Sequence, residues 1–359
     1  MGLQTVLTSV FVFVVISLAV LAAAGQIKKN SLLSKYPQLG ELVNIGGYRL
    51  HISCKGEGGP VVILDAGQGE AGSSWEAIQD EIARKTRVCV YDRAGLGWSD
   101  PSPRPRTARV MAEELHQLIT ESDIPTPFVL VGASLGGLNA RVYAHLYPEE
   151  VAGLVLLDAA HEEQYLPEAI QKALKQMAGM MSAMDGYVQL ILRSGLAALF
   201  PRLLPGGGTS GDAAAARSDK ALRVAKPAYM KAALQEIKDV GLSHSEVREM
   251  KISGLGDIPI LVIRHGKTQA QMMPAVTEVM EETNQRLQAK VAEQSPNARL
   301  IVAADSGHAI QLDQPALVIE SIMELVGAVR GQSQDSPAGA IFPNGHKKEV
   351  FAQPSGRRG

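Results

Sequence analysis

Between residues 42 and 159 the chain alternates short apolar, β-branched runs with stretches of helical periodicity, and this alternation limits the possible folds more than any other feature. The runs at 61–64, 88–91, 128–131 and 154–157 are continuously apolar, as strands buried on both faces are. Helical stretches near 75–85, 107–122 and 138–146 separate them. Strands joined through helices make right-handed crossovers, so an α/β fold is expected, with a mostly parallel sheet covered by helices on both faces. Ahead of this block, 42–45 and 48–54 flank Gly46-Gly47 and read as a hairpin.

The rhythm stops near His161. Residues 161–256 read as helices, with a flexible connector at 205–216 (PGGGTSGDAAAA). It resumes with strands at 258–263 and 300–303 around a helix at 275–293. Asp313 is expected to cap a final helix that carries Pro315 in its first turn. The expected parts are an N-terminal segment (1–30), a core in two pieces (40–160 and 257–330), a helical insertion (161–256) and a disordered tail (331–359) rich in Gly, Pro, Ser and charges. Cys54 and Cys89 lie in apolar strand-like runs and read as buried structural thiols. No Cys/His spacing suggests zinc, and neither metal nor cofactor is expected.

Residues 6–24 (VLTSVFVFVVISLAVLAAA) carry no charge and are long enough to cross a bilayer as a helix. A single-pass anchor is expected. The alternative is a signal peptide cleaved after Ala22-Ala23-Ala24, followed by secretion. Lys28, Lys29 and Lys35 follow the apolar run and, by the positive-inside rule, tend to hold the next domain on the cytoplasmic side. The net charge of −2 and an aromatic content of 4% argue against nucleic acid as a partner.

Gly132-Ala133-Ser134-Leu135-Gly136 is a G-x-S-x-G motif with a strand leading in and a helix leading out. That setting lifts a serine hydroxyl clear of the sheet on a tight, strained turn at the positive end of a helix. A serine nucleophile needs a base. Of the eight histidines, His308 combines a loop position with placement just after the last predicted strand, where the chain order Ser…acid…His puts the base. His51 falls within a strand, His116 and His145 within helices and His346 in the tail.

Three stretches, YDRAGLGWSD (91–100), VGASLGGLNARVYAHLYPEEVAGLVLLD (131–158) and DSGHAIQLDQP (305–315), resemble recurrent segments of the α/β-hydrolase superfamily, and the resemblance extends over about 42–330. It implies a sheet of about eight strands, a triad at the strand C-terminal ends and a helical cap inserted after the sixth strand. Family members often carry the acid just after the seventh strand, but here that segment (263–269) has no carboxylate. Others place it at the end of the sixth strand, where Asp158 stands, so Asp158 is the expected acid, with Glu162, another source or no acid at all as the alternatives. The oxyanion hole is expected from the backbone amides of Leu135 and Gln68. The implied activity is cleavage of a carboxylic ester, including lipidic acyl esters, through an acyl-enzyme. Met177, Met180, Met181 and Met184 in the cap suit either helix packing or an acyl-binding or membrane-facing wall.

Two other readings compete. Gly67-Gln68-Gly69-Glu70-Ala71-Gly72 matches G-x-G-x-x-G after a strand, with Asp92 20 residues beyond Gly72, as in NAD(P)-binding oxidoreductases. That reading leaves Ser134 and His308 without purpose. The other is a non-catalytic ligand-binding protein on the same fold.

Overall fold

The computed structural model describes residues 2–204, 214–268, 274–332 and 350–351. The helix α1 (Leu3–Lys35) comes first, followed by the hairpin β1 (Glu41–Asn44) and β2 (Arg49–Lys55). Asn44 accepts the Gly46 and Gly47 amides at 3.1 and 3.0 Å in its turn, where both glycines have positive φ. Then come β3 (Val62–Asp65), α2 (Glu76–Ile82), β4 (Val88–Asp92), α3 (Ala108–Glu121), β5 (Phe128–Ala133), α4 (Leu135–Leu146) and β6 (Val151–Leu157). The helical insertion carries α5 (Glu168–Arg193), α6 (Leu196–Leu199), α7 (Ala214–Ala225), α8 (Pro227–Lys238) and α9 (Val240–Met250). The core resumes with β7 (Ile260–His265), α10 (Pro274–Ala292), β8 (Ala298–Ala303), α11 (Ile310–Asp313), α12 (Pro315–Gln332) and β9 (Val350–Phe351).

The strand order is β1-β2-β4-β3-β5-β6-β7-β8-β9. The hairpin joins antiparallel and the remaining strands pair parallel. Alternate side chains of the parallel strands serve opposite faces, as the two-residue period dictates. Ile63, Leu130 and Leu154 pack with Leu115 and Leu118 of α3 and with Leu138 of α4 on one side. Val62, Leu64, Val129, Val131 and Val155 pack with Ile78 and Ile82 of α2 and with Val318 and Ile322 of α12 on the other. Each fully buried aliphatic side chain contributes about 1.5–3 kcal/mol.

Several expectations shift. Cys54 and Cys89 are not free thiols: they face each other across β2 and β4 and are joined by a disulfide. The two strands are antiparallel neighbours although 35 residues separate the cysteines, a pairing that strand assignment alone does not reveal. Asp313 does not cap the last helix. It ends α11 and turns its carboxylate back to accept the Gly307 amide at 2.8 Å. Of the expected connector, 205–213 lie outside the described residues and 214–216 belong to α7. Of the tail, 333–349 and 352–359 lie outside them, while Val350 and Phe351 pair with β8. The N-terminal helix does not stop at the end of its apolar run; its far end docks on the cap, where Gly25 is buried against Gly195.

Candidate active site

Ser134 sits between the last residue of β5 and the first of α4 with φ 52° and ψ −115°, a conformation that costs a non-glycine residue about 1–3 kcal/mol. Its surroundings hold it there. The Ser134 amide donates to Leu157 O at 2.9 Å, and its carbonyl accepts the amides of Gly137 and Ala160 at 3.0 and 2.8 Å. The turn closes only because glycines flank it: a Cβ on Gly132 would lie 2.3 Å from Gly136 O, and one on Gly136 would lie 2.5 Å from Asp65 O.

The Ser134 hydroxyl lies 3.0 Å from His308 Nε2. His308 follows β8 in a loop pinned by Asp313 and by the Ser306 carbonyl, which accepts the Gly266 and Lys267 amides at 3.2 and 2.9 Å. The other ring nitrogen, His308 Nδ1, is 2.5 Å from Asp158 Oδ2. A carboxylate can only accept there, so Nδ1 carries the proton and Nε2 is left to accept from the serine. Asp158 directly follows β6, with φ 42° and its amide donated to Ile263 O at 2.7 Å. The alternative acid, Glu162, points elsewhere and makes a two-pronged ion pair with buried Arg141 at 2.8 and 3.3 Å. Asp305 stands on the surface 3.8 Å from Lys267.

The segment after β7 supplies no carboxylate, but the last residue of β7 supplies a partner that the sequence did not point to. His265 Nδ1 lies 2.7 Å from Asp158 Oδ2 and its Nε2 lies 2.8 Å from Glu281 of α10. Asn284, one turn along α10, donates to Asp158 Oδ1 at 3.0 Å. Burial disfavours the charged forms of all three groups, but the mutual contacts prevail. Hydrogen bonds from His265 and His308 hold the Asp158 carboxyl below the ordinary carboxylate range. Asp158 and then Glu281 push His265 up to about 9, so it is a cation at neutral pH that donates from both nitrogens. Asp158 likewise raises His308 above the ordinary imidazole value. Among the described residues, Asp158, His265 and His308 are also the group compact enough to hold a metal ion. Their ligand atoms stand at hydrogen-bonding distance, 2.5 and 2.7 Å, with Asp158 Oδ2 shared by the two imidazoles.

The amides of Gln68 and Leu135 make no hydrogen bond among the described residues. Gln68 lines a cavity of about 250 Å³ together with Ser134, His308, His161, Tyr165 and Ile170. The loop bearing Gln68 is fixed from below and above. Buried Arg93 donates to Ala66 O and Gly67 O, both at 2.7 Å, and to Asp65 at 2.7 Å. Glu236 of α8 pairs with Arg93 at 2.8 Å and accepts the Gly69 amide at 2.6 Å, while Arg223 of α7 donates to Gly69 O at 2.6 Å. This arrangement does not suit a dinucleotide. The Glu70 and Glu236 carboxylates take the Gly67 and Gly69 amides that a pyrophosphate would need, and Asp92 is committed to the Gly72 and Trp98 amides at 2.8 Å each.

A profile described as the alpha/beta hydrolase fold matches residues 59–315. The chain belongs to the α/β-hydrolase family. An AB hydrolase superfamily protein of Gibberella zeae is 25% identical to this α/β-hydrolase over 291 residues, covering 76% of this chain and 87% of its own. A vacuolar membrane protein of Saccharomyces cerevisiae is 32% identical over 145 residues, covering 35% of this chain and 22% of its own length. The chain thus spans about a fifth of the length of that relative. Among solved structures, Cfl2 of Burkholderia cenocepacia superposes with a TM-score of 0.59 at 20% identity, covering 80% of this chain and 95% of its own.

Proposed function

We propose that this α/β-hydrolase cleaves carboxylic esters of small or acyl-chain substrates through a Ser134–His308–Asp158 triad and an acyl-enzyme. The observation that carries the proposal is the unbroken run of contacts from Ser134 Oγ to His308 Nε2 and from His308 Nδ1 to Asp158. In the acylation step Ser134 Oγ attacks the ester carbonyl carbon as His308 Nε2 takes its proton. The carbonyl oxygen becomes an oxyanion that the amides of Leu135 and Gln68 receive. Collapse breaks the bond to the alkoxy oxygen, which leaves as the alcohol with the proton from His308. Water, deprotonated by His308 in turn, attacks the acyl carbon; the bond to Ser134 Oγ breaks, Oγ takes the proton back from His308, and the acid is released. His265 keeps Asp158 anionic throughout, which supports the imidazolium that forms twice per cycle. Nothing in the geometry favours the oxidoreductase or the non-catalytic reading.

The same proposal takes α1 as a membrane anchor. Its best stretch has a mean hydropathy of 2.8 and none of it is buried. The bond after Ala24 lies inside a continuous helix whose next residue is packed on the cap, which favours the anchor over a cleaved signal. The disulfide favours placing the catalytic domain on the oxidising side of the membrane, against the tendency of Lys28, Lys29 and Lys35. The enzymatic proposal is tested with a panel of p-nitrophenyl esters of increasing acyl length, assayed with the purified full chain and its Ser134→Ala variant. Turnover that vanishes in the variant is expected; turnover at the wild-type rate in the variant excludes the mechanism.

A further inference from the structure

The N-terminal helix is joined to the cap more firmly than a tether would be. Gly25 and Gly195 touch backbone to backbone: a Cβ on Gly25 would lie 2.6 Å from Gly195 C. Gln26 donates to Arg193 O at 2.8 Å. Leu32 packs against the cap cluster of Val188, Leu192 and Leu204, and Leu33 against that of Leu222 and Tyr229. The apolar part of α1 up to this point, Leu3 to Ala24, rises about 33 Å at 1.5 Å per residue, about the thickness of a hydrocarbon core. A helix that crosses the bilayer and is clamped at Gly25 therefore brings the C-terminal end of α5 to the membrane surface.

That end of the cap has the chemistry of a membrane interface. Tyr187 and Leu190 on α5, then Phe200 and Leu203 just beyond α6, are 44%, 66%, 50% and 39% exposed, unusual values for large apolar side chains so close together. Met180, 56% exposed, extends the same face of α5 one heptad earlier than Tyr187. Arg193 and Arg202 stand exposed among them, and neither has an ion-pair partner among the described residues. Apolar side chains rimmed by uncommitted guanidinium groups match the boundary between acyl chains and phosphate headgroups.

We propose that the surface formed by Tyr187, Leu190, Phe200 and Leu203 is immersed in the headgroup region of the bilayer that α1 spans, with Arg193 and Arg202 on lipid phosphates. The occupant is the lipid bilayer itself, identified by continuity with α1. The inference rests on α1 crossing the membrane, so the experiment reports on both. The full chain is placed, one copy per disc, in nanodiscs of phosphatidylcholine and phosphatidylglycerol whose acyl chains are brominated or unbrominated. Tryptophan emission is compared with that of the parent protein for Leu190→Trp, Phe200→Trp, Val14→Trp and Glu121→Trp. Glu121 is the exposed last residue of α3, at the opposite end of that helix from Ala108, whose amide meets Ser243 of the cap, and serves as the aqueous control.

The added emission at positions 190 and 200 is expected to fall by about half in brominated lipid, as for an interfacial helix, with Val14→Trp quenched more and Glu121→Trp unaffected. Strong quenching at 14 with none at 190 and 200 overturns the membrane-facing surface while leaving the anchor intact. No quenching at 14 removes the anchor and the surface with it. Emission at 190 and 200 that is blue-shifted yet unquenched, and that depends on protein concentration in detergent, assigns the surface to a second copy of the chain and overturns the proposal.

Discussion

Replacing Asp158 by asparagine probes the site most sharply, because the structure limits what the new amide can do. One orientation puts its nitrogen where Oδ2 now meets both His308 Nδ1 at 2.5 Å and His265 Nδ1 at 2.7 Å. His308 must then keep its proton on Nε2, the wrong tautomer to accept from Ser134, and a change of this kind costs ~10⁴-fold in a serine triad. His265, a cation with its other nitrogen on Glu281, opposes that orientation by facing donor with donor. The reverse orientation points the amide nitrogen at Asn284, whose own buried Oδ1 has no partner among the described residues and can turn to accept it. The tautomer survives there, but the negative charge beside the imidazolium is lost. At about 4 Å and an effective dielectric of about 20 that charge is worth about 4 kcal/mol, or about 10³-fold in rate. Asp158→Asn is therefore expected to lower kcat/KM by about 10³ to 10⁴, measured by ester hydrolysis and by the second-order rate of fluorophosphonate uptake. Glu162→Gln and Asp305→Asn, whose carboxylates face Arg141 and Lys267, serve as controls with little effect on either rate. A loss of less than tenfold in Asp158→Asn refutes the reasoning.

Three further outcomes follow from the same contacts. His265 binds its proton more tightly when folded, standing at about 9 against an ordinary 6.5, so the stability it contributes is complete below about pH 6.5 and lost as the pH rises toward 9. Thermal unfolding in detergent should show the wild type losing about 3 kcal/mol over that range relative to His265→Gln, and parallel pH profiles for the two proteins contradict it. Glu236→Leu leaves Arg93 buried with one partner fewer and should destabilise the protein by about 3–5 kcal/mol in a urea titration, while slowing fluorophosphonate uptake through the loosened Gly69 loop; an unchanged midpoint counts against that role. In cells quenched with acid and then denatured, Cys54 and Cys89 should resist maleimide-polyethylene glycol until a reductant is added, and replacing both by alanine should cost up to about 4 kcal/mol for a loop of this length; labelling of the denatured protein without reductant places the domain in a reducing compartment.

The parallel core was legible because buried strands leave continuous apolar runs and their helices leave 3.6-residue periodicity, and both signals are local. The placement of Ser134 and His308 was legible for a similar reason: each stands at a strand end within a short recognisable segment. Asp158 could be placed at the end of β6, but that its carboxylate meets His308 while that of Glu162 pairs with Arg141 depends on a contact joining α4 to the start of the cap. What stayed hidden depends on elements far apart in sequence. Glu281 and Asn284 reach Asp158 from α10, and Glu236 reaches Arg93 across 143 positions. His265 lies within 263–269, where the family resemblance would place an acid, and a second histidine against Asp158 has no sequence pattern of its own. The glycine spacing at 67–72 imitated a phosphate loop, since glycines that admit a close backbone approach do so for a buried arginine and a glutamate as readily as for a ligand.

In the proposed mechanism His308 and Asp158 make the Ser134 hydroxyl a nucleophile. Incubation of the full chain with a fluorophosphonate, followed by peptide mass spectrometry, tests it most directly, because the reagent marks only an activated serine and needs no knowledge of the substrate. One stoichiometric adduct on Ser134 is expected, absent in Ser134→Ala and slowed by orders of magnitude in His308→Ala. An adduct on another residue, or labelling of the wild type no faster than that of His308→Ala, would contradict it.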